Sequence, residues 1–450
     1  MSKFPLSTDA KQRRASGRPP EEFWVPELMW AQKSHPILNC PGKQAVLRDV
    51  YGHGEELGKL FCGDSIDVLR WLLANGYREK VDLVYIDPPF GGGALYSRKI
   101  SLRGQDAGVS FTAPAYQDFW SDAEYLQFMY ERIVLLKELL AQTGSLYLHV
   151  DTSQAHYLKV ICDEVFGREN FQREIVWRIG WVSGYKTQAK NWIRNHDTIL
   201  FYSKNSEDFY FAKQYAPYSS SYRRRDGAKP TGKGHPVEDT WNCSEQDRLD
   251  SIQIKSFSNE KTGYPTQKNE KLIERIIGAS CPEGGLVLDC FGGSGTTATV
   301  SHAMSRRWLS CDVNPEAVHT AKTRLLKTGA GQLSSGFSVY SFGDGASENG
   351  IEAKVEFARD KNNVSISIID FKSKALEGKL KAPVGDWRSI VDCVLIDFNY
   401  DGKAFRMDFA DLPAKAGQVV RGTYQPETRG RVAVMIVDLL GNEIVVSEPV

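Results

Sequence analysis

Two short segments hold residue types that could do chemistry together. The first is Asp87-Pro88-Pro89-Phe90. Asp87 offers carboxylate oxygens, and the Pro88 carbonyl is a fixed acceptor beside them. Phe90 adds an aromatic face. Two acceptors and a face suit a planar ring bearing an amino group: the acceptors take its N–H hydrogens and the face stacks on the ring. Alone, the tetrapeptide also reads as a rigid strand-to-turn junction with an Asx-type bond. The second segment runs Asp289-Cys290-Phe291-Gly292-Gly293-Ser294-Gly295-Thr296-Thr297. Its glycines let the backbone approach a ligand, and a following helix would offer free N–H groups. Asp312 stands 23 residues after Asp289, the place for clasping a pair of ribose hydroxyls. A lone glycine turn is a weak signal, since several nucleotide folds share it.

Elements that could position these groups follow from apolar patterning. Leu60-Phe61-Cys62 reads as a short strand, and Ile66, Leu69, Leu72 and Leu73 as one side of a helix. Val81–Ile86 is a buried-strand run that stops at the two prolines. Residues 91–115 read as a glycine-rich irregular loop. Ser121 and Glu124 form a capping box that opens a helix to about 142, with Gly144 as its stop. Strands are expected at Ser145–Val150, Glu174–Trp177, Thr198–Tyr202, Leu286–Asp289 and Trp308–Asp312. Helices are expected near 153–166 and 268–280, from 295, and over 315–327. Residues 350–450 alternate in short β-like runs, a small all-β domain of sandwich or barrel type.

In this order, the motifs resemble the β-class DNA amino-methyltransferases, which move a methyl group from S-adenosylmethionine to adenine N6 or cytosine N4. There the Asp-Pro-Pro-aromatic segment comes first, then a target-recognition region, then the cofactor segment. The match runs from about 58 to 328. It includes Phe61-Cys-Gly-Asp64, Asp118-Phe-Trp120, Gly144-Ser-Leu-Tyr-Leu-His149, Asn195–Lys204 and Tyr264-Pro-Thr-Gln-Lys268. Several of these are similar to the modification subunits of type III restriction systems. The implied fold class is α/β, a Rossmann-like methyltransferase domain with permuted motif order. Implied boundaries are a basic tail 1–22, a lead-in 23–57 packing on the core, a methyltransferase domain 58–177 and 261–329, a target-recognition region 178–260, and a β domain 345–450.

The resemblance makes Asp87, Pro88, Pro89 and Phe90 the catalytic set. It places Phe291, Gly293, Gly295 and Thr296 around the methionine end of the cofactor, with Gly292 and Ser294 in the same turn. Asp289 organises that turn, Asp312 takes the ribose, Lys268 reaches the cofactor carboxylate, and Asp64 either touches the cofactor or caps a helix. Asn269 stands where the family usually has proline, so a looser helix start is expected. Phe90 stands where many members have tyrosine, and Gly91–Gly93 is unusual there. Tyr222, Arg223, Arg224 and Arg225 interleave an aromatic with positive charge and are expected to meet DNA phosphates; a solvated loop is the alternative.

Composition sets limits on this reading. The 450 residues carry 56 Lys+Arg against 56 Asp+Glu. Such neutrality argues against a nucleic-acid partner. It is nevertheless a cancellation: residues 331–450 sum to −3 and residues 1–330 to +3, of which the first twenty supply +4. Modest non-specific DNA binding is expected, with the acidic β module facing away from the duplex. No apolar run reaches membrane-spanning length, and the N-terminus has no apolar signal core. Eight cysteines without C-x-x-C spacing imply free thiols in a reducing cytoplasm and no metal site. The partners expected are double-stranded DNA, a second copy of the chain and a restriction subunit. Adenine N6 is favoured over cytosine N4, because members acting on cytosine more often have serine at the Asp87 position. A nucleotide-dependent oxidoreductase leaves Asp87–Phe90 unexplained, and a non-catalytic DNA-binding subunit leaves both intact motifs unexplained.

Overall fold

A computed structural model describes residues 27–38, 42–90, 95–117, 121–180, 190–252, 258, 260–328, 333–342, 350–360, 363–380, 384–415, 417–426 and 430–449. The basic tail, Phe23, Trp24, Cys40, Gly91–Gly93 and Asp118-Phe-Trp120 lie outside the described residues.

The first half gives strands β1 (Ala45–Tyr51) and β2 (Glu56–Cys62), helix α1 (Ser65–Ala74) and strand β3 (Val81–Ile86). A hairpin of β4 (Leu95–Ser101) and β5 (Ser110–Gln117) follows, then helix α2 (Asp122–Leu139) and strand β6 (Leu140–Val150). Helix α3 (Ala155–Phe166) leads to β7 (Phe171–Arg178) and β8 (His196–Ser203). After the two-residue strands β9 (Tyr215–Ala216), β10 (His235–Pro236) and β11 (Thr240–Trp241) come α4 (Glu270–Ser280), β12 (Leu286–Asp289), α5 (Thr296–Ala303), β13 (Arg307–Asp312) and α6 (Pro315–Thr328). The C-terminal strands used below are β14 (Gly336–Phe342), β15 (Ile351–Asp360), β16 (Asn363–Ser373), β17 (Val391–Asp397), β18 (Phe405–Met407), β19 (Phe409–Asp411), β20 (Thr423–Tyr424), β21 (Val432–Asp438) and β22 (Glu443–Glu448).

One sheet organises the molecule, in the order β11-β7-β8-β6-β3-β12-β13-β2-β14-β1-β18. Its centre, β6 to β14, is parallel. Strand β8 runs antiparallel between β6 and β7. The central strands are aliphatic on both faces because helices cover both, as a parallel sheet requires. From β3 the chain crosses to β6 on one side; from β12 it crosses to β13 on the other. The carboxyl ends of β3 and β12 therefore open a crevice at a topological switch point. This is a doubly wound α/β fold with extra β strands at the C-terminus, the arrangement that the resemblance implies.

The expected strands and helices of the core all occur, with four differences. Of the segment expected as an irregular loop, the described residues 95–115 form a hairpin: Ile100, Leu102, Phe111 and Ala113 bury it in a cluster with β16, β17 and β21. The lead-in contributes β1, a strand of the sheet, paired antiparallel with β14. Helix α2 keeps its capping box but ends at Leu139, five residues before Gly144, because β6 has begun. Strand β8 lies inside the span assigned to target recognition, yet it is a core strand.

The C-terminal β module is a sandwich that shares a sheet with the core. Sheet β19-β17-β21-β22 turns Cys393, Leu395, Ala433, Met435 and Val437 toward the methyltransferase core and α6. Its other face, Val394, Ile396, Val434 and Ile436, packs on sheet β15-β16-β20 and the hairpin. Strand β18 joins the edge of the main sheet beside β1. Strands β17 and β21 are thus part of the fold's interior. The seven described cysteines are free, and no helix of the described residues is long and apolar enough to cross a membrane.

Candidate active site

A cavity of about 310 Å³ opens at the switch point, lined from one side by Tyr85 and Asp87–Phe90 and from the other by Asp289–Ser294 and Asp312. The two segments, two hundred residues apart in sequence, meet because β3 and β12 are neighbours in the sheet.

Strand β3 ends at Ile86, because Pro88 cannot continue the ladder, and this leaves Asp87 at the rim. The Asp87 side chain is 15% exposed. Its Oδ2 accepts a hydrogen bond from the Lys268 ammonium, and its Oδ1 is buried with no partner among the described residues. That orphan oxygen is the notable feature of the site, since leaving a buried acceptor unpaired costs about 1–3 kcal/mol. Phe90 is half-buried beside it, with the Lys268 ammonium 5.8 Å from its ring centroid. Lys268 is thus paired with Asp87, a partner that the sequence does not indicate.

The glycine turn is fixed from within. Asp289 is fully buried and accepts from Phe291 N at 3.0 Å and Thr297 Oγ1 at 2.6 Å. Burial pushes its carboxyl up to about 7, against those two hydrogen bonds. Asp312 accepts from Gly293 N at 2.9 Å and Asn314 N at 2.8 Å, which ties the turn to the end of β13. Burial raises its pKa above the ordinary carboxylate value, against those amide bonds. Gly295 has φ +76° and caps α5; a Cβ there would lie 2.5 Å from the Ala321 Cβ of α6. Thr296 and Ser294 are buried and share a hydroxyl contact of 3.3 Å, and Arg324 donates to Thr296 Oγ1 at 2.8 Å. Thr296 thus braces the turn from the helix side.

The third wall was not legible as a site. Arg132 of α2 is buried, its guanidinium 3.4 Å from the Phe128 ring centroid. It donates to Asp64 Oδ1 and Ser65 Oγ, both at 2.6 Å. Asp64 Oδ1 also accepts from Ile66 N at 2.8 Å, so Asp64 caps α1 and lines the cavity at once. Phe128 and Phe291 approach to 5.9 Å between centroids. The available signal was an arginine in the apolar stripe of α2, four residues after a phenylalanine. Tyr85 gave a second, a phenol in an otherwise aliphatic run.

This set fits S-adenosylmethionine. Asp312 keeps lone pairs for a hydroxyl pair, Phe291 and Phe128 offer aromatic faces, and Asp87 Oδ1 awaits a donor. Asn269 is no weak start to α4: its Oδ1 accepts from Lys271 N at 2.8 Å and its Nδ2 donates to Asp250 O at 2.8 Å. Tyr222 and Arg223–Arg225 do not line the cavity; they are exposed on a loop of the inserted region. There Tyr218 and Tyr222 stack at 5.1 Å, each edge-on to His235. No cluster of metal-ligating groups occurs among the described residues.

The chain is similar to several known proteins. The type II methyltransferase M.EcaI of Enterobacter cloacae is 26% identical over 337 residues, covering 61% of this chain and 70% of its own. The Mod subunit of the type III restriction-modification enzyme EcoP15I of Escherichia coli is 30% identical over 203 residues, 40% of this chain. The chain spans only 30% of that larger subunit. Among solved structures, an M1.HpyAVI–SAM complex is 19% identical, with 60% of this chain and 98% of that one covered and a TM-score of 0.38. The N6/N4 DNA methylase family matches residues 81–323, more than half the chain and both walls of the cavity, and the protein belongs to that family.

Proposed function

We propose that this DNA methyltransferase modifies adenine N6 of a base flipped out of duplex DNA, at a specific site, within a restriction-modification or epigenetic marking system. The observation that carries the reading is Asp87 Oδ1, a buried acceptor without a partner among the described residues, on the wall opposite the nucleotide-binding turn. The methyl donor is S-adenosylmethionine, which supplies an electrophilic methyl group on a sulfonium.

What the chain supplies is positioning and charge complementarity. An exocyclic amine is a poor nucleophile because its lone pair is delocalised into the ring. Asp87 Oδ1 and the Pro88 carbonyl accept its two N–H bonds, which favours tetrahedral nitrogen and frees the lone pair. The same fixed acceptors stabilise positive charge growing on nitrogen. Asp87 need not be a strong base, since the ammonium formed is acidic. Phe90 stacks on the base and returns part of the few kcal/mol that flipping costs. Lys268 holds the Asp87 carboxylate in place from its far oxygen.

Nucleoside composition analysis of DNA methylated by the protein tests the reading. N6-methyladenine is the expected product; N4-methylcytosine would reassign the base, and absence of either would reject the function. The Arg223–Arg225 loop is proposed to neutralise phosphates. Replacing all three with glutamine should lower the slope of log K against log salt by up to about 2.7, at ~0.9 per phosphate. An unchanged slope would return the triplet to a solvated loop. A restriction subunit as partner belongs to the same proposal, supported by the similarity to type III Mod subunits, as do a homodimer and a cytoplasmic, nucleoid-associated location.

A further inference from the structure

Behind Asp87, a second polar group reaches the cavity by a buried route. Tyr85 lines the cavity and is 2% exposed. Its hydroxyl lies 2.9 Å from His149 Nδ1 at the end of β6. His149 is fully buried, edge-on to Trp177 at 5.4 Å. Its Nε2 faces Asp197 Oδ2 at 3.5 Å and has no other partner among the described residues. The other oxygen of Asp197, Oδ1, accepts from Arg194, which also stands 3.8 Å from Asp151. The chain Tyr85–His149–Asp197–Arg194 therefore crosses β3, β6 and β8 and ends at the surface of the inserted region.

For a neutral His149, the groups at the two ends of the chain set its hydrogen-bond polarity. Burial works against the Asp197 carboxylate, but His149, Lys268 and Arg194 hold it down to about 2, so it is ionised. A carboxylate facing Nε2 requires the proton there, because two acceptors would repel. In neutral His149, Nδ1 then carries the lone pair and must accept from the Tyr85 hydroxyl. Burial, and next the Asp87 charge, keep the phenol well above its ordinary pKa, so it stays protonated. With its hydrogen committed to His149, Tyr85 presents only lone pairs to the cavity.

We propose that the Tyr85 hydroxyl turns its lone pairs toward the substrate amine and stabilises the positive charge that grows on nitrogen, while the two N–H bonds go to Asp87 Oδ1 and the Pro88 carbonyl, and that His149 and Asp197 are positioning residues that hold the hydroxyl in that polarity. The inference rests on the cavity being the amine-methylating site. Lys268 takes one Asp87 oxygen, and Asp87, Pro88 and Tyr85 line the same side of the cavity, so in this proposal the wall offers Asp87 Oδ1, the Pro88 carbonyl and the Tyr85 oxygen as acceptors. Such a wall admits an exocyclic amine and repels a base that offers a carbonyl at the same position.

Asp197→Asn tests the polarity without removing bulk. Arg194 retains the amide oxygen, so the amide NH2 faces His149 Nε2. That moves the ring proton to Nδ1 and turns the Tyr85 O–H toward the cavity. Single-turnover methyl transfer should fall about 100-fold, the scale of losing one preorganised partner. Cofactor affinity by calorimetry should stay within about twofold, since the cofactor wall is untouched. Tyr85→Phe should lose only about tenfold, and Asp197→Asn/Tyr85→Phe should be no slower than Tyr85→Phe, because no hydroxyl is left to point wrongly. Nitrogen-15 NMR should show His149 protonated on Nε2 in the wild type and on Nδ1 in Asp197→Asn. A double variant slower than either single one, a full-rate Asp197→Asn, or a wild-type ring protonated on Nδ1 overturns the relay. A wild-type protein that transfers no methyl group to DNA overturns instead the reading on which the relay rests.

Discussion

At the β12–β13 end of the cavity, both oxygens of Asp289 and both of Asp312 are occupied by the chain's own amides and hydroxyl. At the β3 end, one oxygen of Asp87 meets Lys268 and the other is buried without a partner among the described residues. One end is complete before any ligand arrives. The other carries the cost of an unmet acceptor, on the order of 1–3 kcal/mol, which a donor-bearing base would relieve. The cofactor wall is therefore a rigid cradle whose carboxylates serve the backbone first. The catalytic wall is a set of acceptors held in place for a charge that exists only during reaction.

Substitutions at the two ends should separate binding from chemistry. The largest effect on the cradle is expected from Asp312→Ala, which removes two internal hydrogen bonds and the acceptor for the ribose. Cofactor affinity measured by calorimetry should fall about 100-fold, roughly 2.7 kcal/mol. Transfer at saturating cofactor should recover to within a few-fold. An unchanged affinity would break the distinction between the two ends.

The turn's backbone gives the next test. Gly295→Ala places a left-handed alanine against Ala321 and should cost about 2 kcal/mol in thermal or denaturant unfolding. Gly293 has φ +50°, but a Cβ there meets nothing closer than 3.5 Å, so Gly293→Ala should cost about 1 kcal/mol. Equal costs would mean that close packing of α5 on α6 contributes nothing. The smallest effect concerns the approach to the cavity from Lys268. Asn269→Ala removes the α4 cap and should cost about 1 kcal/mol, with the catalytic rate held to within a few-fold. A stability loss near zero would restore the looser helix start that the sequence suggests.

Much of this arrangement could be read from the chain. Strands β3 and β12 end where proline and glycine make them end, so both motifs could be placed at strand termini without coordinates. What could not be read depended on distant partners. The apolar residues of the β4–β5 hairpin match strands that arrive more than 250 residues later, so locally they resemble a loop. Strand β1 lies one strand in from the edge, and its neighbours, β14 and β18, come from the C-terminal third. Lys268 finds Asp87 across 181 residues, and no local pattern distinguishes that partner from a cofactor carboxylate. Arg132 sits in an apolar stripe that hides its role until Asp64 and Ser65 are beside it.

The central claim is that Asp87 acts on the amine and not on the cofactor. Its direct test is Asp87→Ala, assayed for transfer of a labelled methyl group from S-adenosylmethionine to duplex DNA, with cofactor binding measured by calorimetry on the same preparation. Transfer should fall by at least about 1,000-fold, the upper range for removing a preorganised electrostatic partner, while cofactor affinity stays within about threefold. Retained turnover, or loss of cofactor binding in parallel with activity, would contradict the account.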